Sequence, residues 1–218
     1  MLSNSIRAVL AAGVFCAGGV HAAELGSTQF EVKGVIKPTA CTVSFSGGGV
    51  FDYGVIDKSH LDGTDDYYYV TGPKQDYSIV CEKPAGVSVK FIDNMPEHVH
   101  APDATRFGLV SDYGSPIGFH YFHVASNGLK VLGENGSLVD GAVYGTSSDN
   151  SKWDLLGAGY KSVRGGDYYT AIDAGSKDNV PFTRLDSHVA SMLAIHKQVS
   201  VKDDLEFHGV VTMELHYI

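Results

Sequence analysis

The sequence predicts an all-β domain, a sandwich or barrel, and three observations carry that prediction. Short apolar alternations of period two recur along the 218 residues. Clusters of Gly, Asp, Asn and Pro separate them and suit tight turns. No stretch sustains the 3.6-residue periodicity of a long helix.

The first segment is not part of that domain. Arg7 precedes the small and apolar run AVLAAGVFCAGGV, residues 8–20, and small residues follow at Val20 and Ala22. This reads as a secretory signal peptide, residues 1–22, cut between Ala22 and Ala23. The run is shorter than the roughly 20 apolar residues that span a bilayer. Gly13-Val14-Phe15, ahead of Cys16, is too bulky for lipoprotein processing.

Cleavage sets the charge and the cysteine count. One of the 16 basic residues and none of the 25 acidic ones lies in the leader, so the mature chain carries a formal charge of −10. That sign disfavours nucleic acid and anionic lipid as partners. Cys16 leaves with the leader, and Cys41 and Cys81 remain as an even pair in an oxidising compartment. A bridge between them stabilises by about 4 kcal/mol in the chain-entropy account. Two unpaired buried thiols are the alternative. The 196 residues left after cleavage suit one β domain, large enough to bury a core without relying on the bridge.

The strand candidates follow in order. QFEVKGVIK (29–37) alternates, and CTVSF (41–45) follows Pro38. The turn SGGG (46–49) leads into VFDYGVI (50–56). YYYV (67–70), DYSIVCEK (76–83), VSVKFID (87–93) and IGFHYFHVA (117–125) come next. Between Asn94 and Ser187 the pattern weakens into turns such as NGLKVLGENGSLVDG and YGTSSDNSKWD, with DYYTAI (167–172) a further strand. ASMLAIHK (190–197) fits a short helix by spacing alone, and a strand is the favoured reading. FHGVVTMELHY (207–217) closes the chain, with Phe207, Gly209, Val211, Met213, Leu215 and Tyr217 on one face. His208 and His216 fall on its polar face.

Histidines and aromatics raise chemical alternatives. His98 and His100 in EHVH share a face if extended, with Asp103 near in sequence. A zinc site needs three or four converging ligands, and these supply two. HYFH puts His120 and His123 on opposite faces of a strand. No nucleophile motif is present, and SGGG lacks the Lys-Ser/Thr of a phosphate loop. No catalytic residue, metal or cofactor is therefore assigned. Tyr67, Tyr68, Tyr69 and Trp153 could present a sugar-binding surface, although YYYV is more simply a strand packing alternate rings.

Four features together resemble the subunits of chaperone–usher fimbriae, and the fimbrial-like branch of that family most closely. They are the signal peptide, the alternating extension with Gly34 seven residues before Cys41, the Cys41–Cys81 separation, and a last strand with penultimate Tyr217. The resemblance implies an incomplete immunoglobulin-like (pilin) β-sandwich, residues 37–218, completed by a donated strand. Residues 23–36 would be the donor, with Phe30, Val32, Gly34 and Ile36 facing the neighbour. The last strand would wall the acceptor groove, with Tyr217 and the free carboxylate gripped by a periplasmic pilus chaperone.

The implied function is structural, that of a non-enzymatic subunit exported to the periplasm and assembled into a surface fimbria. Its implied partners are the chaperone, an outer-membrane usher and other fimbrial subunits, with host or surface glycans as further adhesion partners. The competing readings are a secreted carbohydrate-binding module and a periplasmic metal-binding protein. Two departures stand out. Gly209 lies further along the last strand than the glycine of many pilins, and the middle, residues 96–186, is long.

Overall fold

A computed structural model describes residues 31–35, 39–61, 63, 65–126, 128–201 and 204–218. The chain divides into two units, Met1–Lys37 and Pro38–Ile218. The signal peptide expected at 1–22 lies outside the described residues, as do Phe30 and Ile36. Within the first unit, residues 31–35 have no regular secondary structure, and Val32 is 96% exposed.

The second unit carries thirteen strands among the described residues: β1 (Cys41–Phe45), β2 (Tyr67–Ala85), β3 (Val87–Asp93), β4 (Phe107–Ser111), β5 (Pro116–Ala125), β6 (Lys130–Leu132), β7 (Ala142–Ser147), β8 (Asp154–Leu155), β9 (Tyr160–Ser162), β10 (Tyr168–Asp173), β11 (Phe182–His196), β12 (Phe207–His208) and β13 (Val211–Tyr217). Among the described residues the helical segments are short 3₁₀ turns, so the domain is all-β as the alternation predicts. One sheet runs β1-β2-β11-β5-β4-β12, with β6 on β11 and β9 on β5. The other runs β13-β3-β10-β7-β8. Every strand pair is antiparallel.

Alternation decides which side chains meet between the sheets. Tyr77, Ile79 and Cys81 of β2, Phe122 and Val124 of β5, and Leu185 and Val189 of β11 face inward from the larger sheet. Val87, Val89 and Phe91 of β3, Tyr144 of β7, and Tyr169 and Ala171 of β10 meet them from the smaller one. The result is a two-sheet, immunoglobulin-like sandwich. Cys41 and Cys81 are register partners on β1 and β2, and their sulfurs are bonded. The alternative of two free thiols is excluded.

A buried hydroxyl chain joins the two layers. Tyr77 donates to the Tyr144 hydroxyl at 2.5 Å, and Tyr144 donates to Ser187 Oγ at 2.6 Å. Burial raises the Tyr77 phenol to about 12, so the chain stays neutral. Each of these buried polar groups has a partner, which spares the fold the cost of an unmet one.

Three expectations are corrected. YYYV and DYSIVCEK are parts of one long strand, β2, because β11 pairs with it along nearly its whole length. VFDYGVI forms no strand. Gly54 takes φ +57 and donates to Asp52 Oδ1 at 2.8 Å, a local turn that interrupts the extended run. The closing segment is two strands: Phe207 pairs with Ser111 of β4 in the larger sheet, whereas Val211 pairs with Asp93 of β3 in the smaller. Met192 lies in β11, so the strand reading of that segment holds.

Candidate functional site

Strand β13 ends its sheet, and its ladder shows which of its groups stay open. Asn94 N donates to Val210 O at 3.0 Å, and Ile218 N donates to Gly86 O at 3.1 Å. The register runs from Val211↔Asp93 to Tyr217↔Val87. Hydrogen-bonded and non-hydrogen-bonded pairs alternate in an antiparallel ladder. Thr212, Glu214 and His216 therefore exchange bonds with β3. The N–H and C=O groups of Val211, Met213, Leu215 and Tyr217 point to the opposite edge. Among the described residues, no strand pairs with that edge.

The same four residues carry the apolar side of the strand. Val211, Met213 and Leu215 are half-buried and pack on the core, whereas Thr212 and Glu214 are exposed. One set of positions thus offers both ladder groups and apolar side chains. Exposed edges of this kind are normally blunted by charge, bulges or cover.

Beside this edge the sandwich is open. A cavity of about 880 Å³ lies between the sheets, lined by Phe91, Val211 and Met213 of the smaller sheet and by Leu109, His120, Phe122 and Leu193 of the larger. The irregular segment 50–56 borders it. There Phe51 packs on Phe122, with ring centroids 5.2 Å apart, and Tyr53 bonds Ser191 Oγ at 2.6 Å. Burial raises the Tyr53 phenol to about 12. This segment is held by aromatic anchors where a ladder strand was expected.

The break at Gly209 has a steric cause. A Cβ there would come within 2.6 Å of Gly108 O and 2.9 Å of His120 Nε2. Only glycine lets the chain pass so close to another backbone as it crosses between sheets. That requirement accounts for a glycine further along the segment than the fimbrial pattern has it. His120 is buried beneath the crossing, and its Nε2 has no hydrogen-bond partner. Burial pushes its imidazole down to about 4, so it is neutral near pH 7.

The end of β13 is tied down. The Tyr217 hydroxyl donates to the Thr39 carbonyl, and Asn150 Nδ2 donates to the Tyr217 carbonyl at 3.1 Å. Phe207 stands apart from this edge, packing with Leu109, Ile117 and Leu193 at another part of the cavity. Among the proposed groove residues, the structure therefore brings Val211, Met213, Leu215 and Tyr217 onto one edge. Gly209 is the crossing point, and Phe207 belongs to the other sheet.

The residues weighed for other chemistry are dispersed. His98 sits on a 3₁₀ turn, 3.3 Å from the Glu97 carboxylate. His100 Nδ1 bonds the Tyr67 hydroxyl at 2.5 Å, and its ring centroid lies 4.2 Å from that of His196. Burial first, then the His196 imidazole, lowers the His100 pKa. Among the described residues, no group of three or more His, Cys, Asp or Glu is placed to hold a metal ion. Trp153 is buried, so its ring is not available for stacking on a sugar. Tyr68 lines the cavity, whereas Tyr67 packs beside Phe119 and Tyr69.

Comparison with known proteins gives three likenesses. A family described as a protein of unknown function, DUF1120, matches residues 30–113. The uncharacterized protein YhcF of Escherichia coli (strain K12) is 22% identical over 244 residues, covering 99% of this chain and all of the relative. The crystal structure of the P pilus rod subunit PapA has a TM-score of 0.35 at 15% identity, covering 88% of this chain and 99% of that one.

Sequence reasoning did not single out Tyr53, His120 or Asn150 as parts of this site. For His120 a signal existed, because period two places it on the same face as Phe122. Tyr53 lies within an expected strand, and its anchoring role depends on Ser191, 138 residues away. Asn150 carried only a turn signature.

Proposed function

We propose that the protein is a structural subunit of a chaperone–usher surface fimbria that polymerises by strand donation. The observation that carries this reading is the open edge of β13 beside an apolar cavity. Its occupant would be residues 23–36 of a second copy, after removal of a signal peptide at 1–22. Those residues precede the compact unit that begins at Pro38. They alternate Phe30, Val32, Gly34 and Ile36. Each apolar side chain buried in a neighbour contributes about 1.5–3 kcal/mol. Pairing with Val211, Met213 and Leu215 supplies the ladder, the mode known as β-strand addition. Gly34 adds no side chain and so permits close approach of the two backbones.

Before assembly the edge needs a temporary cover, and a periplasmic chaperone strand is the partner the fimbrial resemblance implies. An usher at the outer membrane would then exchange it for the next subunit's extension. The Cys41–Cys81 bond suits that oxidising route. No catalytic step is required for this role, and adhesion would be a property of the assembled fibre.

The test is to incubate the full mature chain with a labelled peptide of residues 23–36. Stable incorporation that is lost in Met213→Glu, with the disulfide and β-sheet spectrum retained, supports the reading. Equal retention of the peptide by both proteins contradicts it.

A further inference from the structure

We infer that Asn150 is a register stop for strand addition along β13. The inference rests on the strand-acceptor reading above and adds a positioning residue to it. The Tyr217 carbonyl points to the open edge, where an incoming strand would seek it as an acceptor. Asn150 Nδ2 already donates to it at 3.1 Å, while Asn150 Oδ1 accepts from Ser88 Oγ at 2.6 Å. The orientation of the amide follows from its partners, because a carbonyl can only accept and so must face the NH₂.

This side chain is held from several sides. Ser88 is fully buried on β3, opposite His216. Asn150 takes φ +62, a left-handed conformation that asparagine tolerates better than most residues. Its turn is set by the Asp149 carboxylate, which accepts from Ser147 Oγ at 2.9 Å, Ser151 N at 3.0 Å and Lys152 N at 3.2 Å. Those bonds hold the Asp149 carboxyl well below the usual range. Ser147 in turn is paired with Tyr168 inside the same sheet. Displacing Asn150 would leave the buried Ser88 hydroxyl without its acceptor, which carries a desolvation cost.

An added strand consequently ladders with Val211, Met213 and Leu215 and stops short of the Tyr217 carbonyl. Side chains alternate faces, so a slip of one residue would turn the donor's apolar set outward. The slip left to be prevented is two residues, which keeps Phe30, Val32, Gly34 and Ile36 inward. Asn150 blocks that slip at one end.

The test maps register by disulfide trapping. The full mature chain carrying Glu214→Cys receives peptides of residues 23–37 with one cysteine in place of Glu31, Lys33 or Val35. Glu214 bonds to β3, so the donor residue across from it forms a non-hydrogen-bonded pair, with Cα atoms about 4.5 Å apart. One peptide position is expected to cross-link with Asn150 intact. Asn150→Gly keeps the left-handed backbone and removes the amide, and it is expected to cross-link at two positions two residues apart. Asn150→Asp, which cannot donate to the carbonyl, should give the same pair. One unchanged position in all three proteins overturns the register stop alone. No cross-link at any position in any of them refutes strand addition along β13 as well.

Discussion

The hydroxyl of Tyr217 donates to the carbonyl of Thr39. Thr39 lies two residues before Cys41, which is bonded to Cys81. The last strand is therefore fastened to the start of the domain within a single subunit. The penultimate tyrosine thus has a local structural role beside any role as a chaperone handle.

Those two roles are separable. Tyr217→Phe removes one partly exposed hydrogen bond and is expected to cost about 1 kcal/mol. In a domain of this size that corresponds to roughly 2–4 °C in Tm. Capture by a chaperone should be little changed. Tyr217→Ala loses the ring as well and should lower both Tm and periplasmic yield. Equal loss of capture in the two variants would assign the effect to the hydroxyl.

The hydroxyl chain between the sheets gives a second prediction. Tyr144→Phe leaves Tyr77 and Ser187 buried with a lost partner each. The expected destabilisation is about 1–3 kcal/mol, measured by urea unfolding with an unchanged m-value. The double variant Tyr77→Phe, Tyr144→Phe should recover part of it, because only Ser187 is then left unmet. A double variant no more stable than Tyr144→Phe alone would count against this account.

His120 predicts a pH dependence. Its folded pKa is depressed from 6.5 to about 4, and the cause is burial. The unfolded chain then binds the proton first as pH falls. The stability contributed by neutral His120 is present above pH 6.5 and is lost progressively toward pH 4. Linkage puts the loss at about 3 kcal/mol across that window. His120→Phe should flatten this part of the curve, and because it also removes an unpartnered Nε2, it should not destabilise at pH 7 by more than its packing change.

Much of the architecture was legible because period-two alternation is a local property. CTVSF, VSVKFID and IGFHYFHVA match β1, β3 and β5 to within a residue. The bond between Cys41 and Cys81 followed from counting cysteines. What was not legible depends on contacts far apart in sequence. Residues 50–56 alternate well, yet they join no ladder and are held by side chains instead, with Gln75 of β2 donating to the Val50 carbonyl and Tyr53 bonding Ser191. The crossing at Gly209 is invisible until Gly108 O and His120 are brought beneath it. The apolar parity of Val211, Met213 and Leu215 was readable, but the direction of their N–H and C=O groups needed the pairing with β3.

Residues 23–36 of one subunit are proposed to fill the open edge of another. Gel electrophoresis of surface material, boiled and unboiled, distinguishes the full chain from a variant lacking residues 23–33 after the signal. The full chain is predicted to give a ladder that collapses on boiling. The truncated chain should accumulate in the periplasm, accept a donor strand and yield no ladder of its own. A ladder from the truncated chain as strong as that from the full one would contradict the account.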